Sequence, residues 1–193
     1  MFEGGEGSGK STQARLLAER LGAVLTHEPG ATEVGRRIRA LVLDPGVVAL
    51  DGRAEALLMA ADRAQHVADV IRPALERGQD VVSDRFTGST LAYQGFGRGL
   101  PLDDLAAVSR WAAAGVEPDL VVLLDVPLDV ALARVTAGST APDRMEAEDR
   151  TFHERVATGY QWLAAADPVR WVVVDGTGEV EKVAARVAEA VGL

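Results

Sequence analysis

The sequence contains no cysteine, which removes disulfides, thiolate metal centres and thiol nucleophiles from consideration. It contains no asparagine, so the Asn-Lys-x-Asp element with which common GTPases read guanine is absent. Lysine occurs only at Lys10 and Lys182, so arginine carries nearly all the positive charge. The formal net charge of -9 lacks the basic excess of a non-specific nucleic-acid binder, and no nucleic-acid partner is expected. Arg or Asp interrupts every apolar run before it reaches membrane-spanning length. No leader is expected before the first glycine-rich loop, and the expected location is cytoplasmic, away from any membrane.

What remains is a compact apolar chain. With 193 residues, 48% of them apolar, it suits one domain, 1–193, with a full core. Short Val-rich runs at 24–26, 80–83, 120–124 and 171–174 are continuously apolar at their centres rather than alternating, as expected for strands buried on both faces. Helical patterns fill 10–21, 32–43, 53–77, 102–114, 128–135, 150–165 and 179–191. Pro73 is expected to bend the third of these rather than end it. Alternation of this kind predicts a three-layer α/β domain with a parallel sheet of about five strands. Only Met1, Phe2 and Glu3 precede the first loop. Either the first strand is stunted or the natural start lies upstream, and the second is the expectation.

Gly4-Gly5-Glu6-Gly7-Ser8-Gly9-Lys10-Ser11 matches the G-x-x-x-x-G-K-[ST] phosphate loop in full, with Thr12 following. Glycines let backbone N–H groups converge on an anion, and the next helix adds its free amides and positive end. All of these residues are expected to hold ATP. Lys10 would bridge the β- and γ-phosphates, and Ser11 would ligate Mg²⁺.

Asp84-Arg85-Phe86 closes a strand, where ligands of open α/β sheets bind. Asp84 there suits Mg²⁺, and Arg85 suits a bidentate phosphate grip. Ser89, Thr90, Tyr93 and Gln94 follow within a few residues, as in a lined pocket or an N-capped surface helix.

At this point the chain resembles the thymidylate kinase family over essentially its whole length. The resemblance rests on ordered motifs: 3–13, Glu28-Pro29-Gly30 with Arg39 downstream, Ala60-Ala61-Asp62-Arg63, 84–95 continuing to Gly97-Arg98-Gly99, Leu123-Leu124-Asp125-Val126, and Asp143-Arg144-Met145-Glu146. It implies a P-loop NTPase domain of strand order 2-3-1-4-5 and MgATP-dependent phosphorylation of dTMP to dTDP for dTTP synthesis. Arg39 and Arg85 would hold the dTMP phosphate. Arg63 would bind the base, with Thr90 and Gln94 near its polar edge. Tyr93 would exclude a 2′-hydroxyl, Glu6 would approach the 3′-hydroxyl, and Glu28 and Pro29 would shape the pocket. Met59 stands where relatives carry an aromatic residue; it either covers the base or fills the core. A homodimer is implied, through 53–77 and 102–114. A kinase for another nucleotide or deoxynucleoside, or an acceptor-independent ATPase switch, are the rival readings.

Residues 136–142 are small and polar and read as the centre of a lid spanning about 136–148. The family takes a catalytic arginine from the phosphate loop or the lid. Gly7 occupies the loop position, which leaves Arg144 first and Arg134 second. A salt bridge from Arg144 to Glu146 or Glu148 is the structural alternative. His27, His66 and His153 are expected at the surface or at helix ends. Asp125 either touches the nucleotide or caps a helix. Trp111, Trp162 and Trp171 are expected as core or interface anchors.

Overall fold

The structure, a computed structural model, describes residues 1–47, 49–138 and 141–193. Five strands form one parallel sheet: β1 (Phe2–Glu3), β2 (Val24–His27), β3 (Val81–Asp84), β4 (Val121–Asp125) and β5 (Trp171–Asp175). Their order is β2-β3-β1-β4-β5. The two-residue β1 is central all the same. Phe2 lies opposite Asp84 on one side and Val122 on the other. Its carbonyl accepts from Arg85 N at 2.9 Å.

The strands carry apolar side chains on both faces. On β4, Val122 and Leu124 pack into one core, with Phe2, Ala14, Val174 and Val183. Leu123 points the other way, into a second core with Tyr93, Phe152, Val156 and Tyr160. The first face is covered by α1 (Lys10–Leu21) and α9 (Val180–Ala190), which pack on each other. The second is covered by α8 (Arg150–Ala166) and by α5 (Thr87–Thr90) with its π-helical continuation Leu91–Gly97. α2 (Glu33–Leu43), α3 (Gly52–His66) and α6 (Leu102–Ala113) close that side. Three layers result, as the alternation predicts.

Local chemistry sets the helix ends. Thr32 caps α2 by accepting from Gly35 N, Asp51 caps α3, and Asp149 caps α8 by accepting from Phe152 N at 2.7 Å. Gly22 ends α1 in the left-handed region at φ 64°, where its N–H reaches back to Ala18 and Glu19. The expected bend at Pro73 takes a definite form. α3 widens into a π-helical turn, Val67–Ile71, before α4 (Arg72–Glu76). A wide turn takes up the bond that Pro73, without an N–H, cannot make.

The strand ends differ from the apolar runs in one respect. β2 to β5 extend to a polar residue, His27, Asp84, Asp125 and Asp175, and all four fall on the carboxyl edge of the sheet. α7 (Leu128–Gly138) takes in residues 136–138 of the expected lid. Ser139 and Thr140 lie outside the described residues. Among the described residues no helix is long and apolar enough to cross a membrane.

Candidate active site

The phosphate loop leaves β1 and enters α1 through backbone that side chains would obstruct. Gly4 sits at φ 145°, and a Cβ there would lie 2.8 Å from the Leu124 carbonyl. Gly7 sits at φ 70°, and a Cβ would run into the carbonyl of Ala131 on α7. In this structure α7 occupies the space that a side chain after Glu6 would need. Lys10 is buried across the loop, its Nζ donating to Gly5 O at 2.7 Å and Ser8 Oγ at 3.3 Å. Burial first, and then Arg85, push its pKa down to about 8.

Ser11 Oγ donates to Asp84 Oδ2 at 2.5 Å. The second oxygen, Asp84 Oδ1, is buried with no partner among the described residues. A carboxyl oxygen left bare beside a hydroxyl is a hard-oxygen pair suited to Mg²⁺. These two residues therefore fit the ion expected of them.

Arg85 organises the rest. It adopts φ 74°, a region costly for a residue with a side chain. The turn is pinned on both sides: Arg85 N donates to Phe2 O, and Ser83 Oγ donates to Arg85 O at 2.8 Å. The strained turn sends the guanidinium back over the phosphate loop. There Nη2 meets Glu6 Oε1 at 2.6 Å and Tyr93 Oη at 3.2 Å, while Nη1 donates to Gly4 O, Ser89 Oγ and Tyr160 Oη, each at 3.1 Å. Tyr93 Oη donates onward to Glu6 Oε1 at 2.9 Å. Burial alone would raise the Glu6 carboxyl; Arg85 and Lys10 outweigh it and hold it near 2.

Beyond Arg85 opens a cleft of about 490 Å³. Glu6, Lys10, Ser11, Asp84 and Arg85 form its phosphate end. Glu28, Pro29, Arg39, Met59 and Arg63 line one wall, and Ser89, Thr90, Tyr93 and Gln94 another. Met59 thus lines the cleft instead of filling the core. Arg39 is anchored through Nη1 on Pro29 O at 3.0 Å. Arg63, 2% exposed, donates to Glu28 Oε2 at 2.9 Å, Phe86 O at 2.9 Å and Thr90 Oγ1 at 3.1 Å. The reading of 89–94 as a surface helix is corrected: the segment is helical but buried, and its polar side chains face the cleft.

Arg144 is not brought to the phosphate loop. Its Nε donates to Val42 O at 2.7 Å and its Nη2 to Glu55 Oε2 at 2.5 Å. The expected partners Glu146 and Glu148 are therefore replaced by a carboxylate from α3. Glu148 pairs with Arg98 instead, at 2.5 Å. Arg134, from α7, is the lid-side arginine that touches the loop, with Nη1 on Gly7 O at 3.3 Å and on Gly176 O at 3.2 Å.

Several site residues escape a sequence reading. Glu3 is fully buried and accepts from Phe86 N, Ser89 N, Ser89 Oγ and Tyr160 Oη, so it underpins the Arg85 turn. Burial pushes its carboxyl up. Asp62, 1% exposed, lines the cleft and accepts from Gly30 N through Oδ1. The expectation of a surface position holds for His27, which is exposed, while His66 closes α3 as a helix-end residue but is buried. His66 is wholly buried between Thr26 Oγ1, 2.6 Å away, and Glu28 Oε1, 2.9 Å away. His27 ends β2 and lines the cleft, its pKa lowered by burial and by Arg39. A glutamate or histidine remote in sequence gives no sign that it converges on Arg85 or Glu28. Glu3 and Asp62 did carry a signal, since they fall inside the motifs 3–13 and Ala60-Ala61-Asp62-Arg63, but nothing in the sequence assigned their roles.

A phosphate loop that faces an arginine-lined second cleft across one strand end defines the class of P-loop nucleotide kinases. The comparisons narrow this. The family model for thymidylate kinase matches residues 2–187. A thymidylate kinase of Citrifermentans bemidjiense is 51% identical over 199 residues, covering 98% of this chain and 88% of the relative. One of Solidesulfovibrio magneticus is 48% identical over 202 residues, covering 99% and 97%. Among solved structures, thymidylate kinase from Ehrlichia chaffeensis superposes with a TM-score of 0.81 at 30% identity, covering 98% of this chain and 96% of that one. The chain belongs to the thymidylate kinase family.

Proposed function

We propose that the protein transfers the terminal phosphoryl group of ATP to the phosphate of dTMP, giving dTDP. The observation that carries this is Arg85: one guanidinium spans the phosphate loop, through Gly4 O and Glu6, and the acceptor wall, through Ser89 and Tyr93. Two phosphates that repel each other need shared cations between them, and transfer then rests on positioning and charge rather than covalent catalysis.

In this reading Lys10 and the amides of the loop hold the donor phosphates. Ser11 and Asp84 would hold Mg²⁺, which would supply charge neutralisation at the donor phosphates. Arg85 and Arg39 grip the acceptor phosphate. Glu6 stays ionised at every physiological pH and accepts from the sugar 3′-hydroxyl once Arg85 turns toward phosphate. Tyr93 Oη, already committed to Glu6 and Arg85, walls off the sugar edge where a 2′-hydroxyl would lie. Met59 covers the base, and Arg63, Thr90 and Gln94 meet its polar edge. The segment 136–148 acts as the lid. Arg134 supplies its catalytic cation most directly, and Arg144 reaches the phosphates only by leaving Glu55. The protein works as a cytoplasmic homodimer.

The test is ADP release with MgATP and a panel of dTMP, dUMP, dCMP, dGMP, dAMP and thymidine. Turnover with dTMP well above the others is expected. Activity on thymidine but not dTMP, or ATP hydrolysis without an acceptor, overturns the assignment.

A further inference from the structure

We infer that Glu55 is a specificity-determining positioning residue, which turns the carbonyl of Gln94 into the cleft and so makes the site read a ring N–H of the acceptor base. The inference rests on the kinase reading above and adds a residue that touches no substrate.

Gln94 is 1% exposed and lines the cleft beside Thr90 and Arg63. Its Nε2 donates to Glu55 Oε1 at 2.7 Å. Glu55 is wholly buried on α3, four residues before Met59. Its Oε1 also takes Arg98 Nε at 3.4 Å, and its Oε2 takes Arg98 Nη2 at 3.2 Å and Arg144 Nη2 at 2.5 Å. Burial would raise this carboxyl, but the bonds from Gln94 and Arg144 and the charge of Arg98 outweigh burial and hold it below its usual range. It is therefore ionised, and an ionised carboxylate only accepts. The amide of Gln94 has one orientation open to it, with the NH₂ on Glu55 and the carbonyl toward the cleft. Among the described residues no donor reaches that carbonyl.

The neighbours on this wall are donors. Arg63 can only donate. Thr90 Oγ1 already accepts from Arg63 at 3.1 Å, which leaves its hydroxyl proton to give. One acceptor accompanied by donors complements an imide edge, in which a ring N–H lies between two carbonyls. Thymine and uracil have that edge. Cytosine presents a lone pair at the same ring nitrogen, and a lone pair facing the Gln94 carbonyl is repelled.

Glu55→Gln separates this role from mere bracing of the arginines. The carbonyl of Gln at 55 takes the two shorter arginine contacts, from Arg144 and Arg98 Nη2, so its NH₂ faces Gln94 and the longer contact with Arg98 Nε is given up. Gln94 then turns its own carbonyl back and offers NH₂ to the cleft, which suits an acceptor nitrogen.

The experiment measures kcat/KM of wild type and Glu55→Gln with MgATP and dTMP, dUMP, dCMP and N3-methyl-dTMP. Wild type should use dTMP and dUMP and reject N3-methyl-dTMP by at least ~100-fold. Glu55→Gln should raise the dCMP-to-dTMP ratio at least ~10-fold. An equal loss on dTMP and dCMP would mean that Glu55 only braces Arg98 and Arg144, and the inference would fall. Turnover of N3-methyl-dTMP at the dTMP rate sinks it on wild type alone, even if the variant does not fold. A wild type inert toward every nucleotide removes the kinase reading itself, a different outcome from an active wild type whose ratio does not move.

Discussion

Charged residues in this protein are buried in pairs and chains, and each chain leaves a mark that can be measured. Asp62 has one oxygen on Gly30 N and the other without a partner among the described residues. Burial, with Glu28 adding to it, lifts its pKa from 3.8 to about 6. The folded state therefore holds a proton that the unfolded state has lost between these values, and stability falls as pH rises through that window. Asp62→Asn removes the slope. Relative to wild type it should gain about 2 to 3 kcal/mol between pH ~4 and pH ~7 in denaturant titrations; a gap that does not change with pH would contradict the assignment. Arg134 and Arg144 separate in the same way. Arg134→Ala should lower kcat by ~100-fold, the scale of a lost electrostatic stabiliser, because Arg134 already reaches Gly7 O. Arg144→Ala should instead lower the melting temperature, because it removes one of the two arginines that neutralise the buried Glu55. A kcat loss confined to Arg144→Ala would return the catalytic role to that residue. Sequence made Lys10, Ser11, Asp84 and Arg85 legible because local motif chemistry demands them. Glu3, Glu55 and Tyr160 were not legible, since their partners lie on other elements far along the chain.

At the scale of elements, the acceptor wall is a helix whose register depends on glycine. A Cβ on Gly97 would lie 2.6 Å from the ring of Phe152 and 3.0 Å from Val156, both deeply buried on α8. Neither can retreat, so Gly97→Ala should cost about 1 to 3 kcal/mol as overpacking. It should also raise KM for dTMP, because Thr90, Tyr93 and Gln94 ride on the same segment; thermal melts and steady-state kinetics would show both. The apolar runs placed every strand except β1 and placed most helices within a residue or two, because strands buried on both faces are continuous in sequence. They stopped one residue short at the carboxyl ends, where His27, Asp84, Asp125 and Asp175 are strand by hydrogen bonding and polar by function. The π-helical stretches at 67–71 and 91–97 carry no periodicity distinct from an ordinary helix, so packing alone reveals them.

Taken whole, the molecule is a parallel sheet with its chemistry gathered on one edge and its stability on two faces. Substrates that bind only the folded form should therefore stabilise all of it. MgATP or dTMP at 100 times its Kd should add about 2.7 kcal/mol, read as a rise in melting temperature; no rise with dTMP would show that the cleft does not hold it. The tryptophans are distributed across this architecture in three environments. Trp111 is 84% exposed on α6, away from the cleft lining. Trp171 at the start of β5 packs against Gly88 of the acceptor segment. Trp162 on α8 stacks on Phe96, with ring centroids 5.7 Å apart, directly after Gln94 and Gly95. The chain thus carries its own optical reporter. Trp162 and Trp171 should change emission when an acceptor settles on the buried helix, while Trp111, remote from the cleft, supplies a constant background, so that binding can be followed by light without any label.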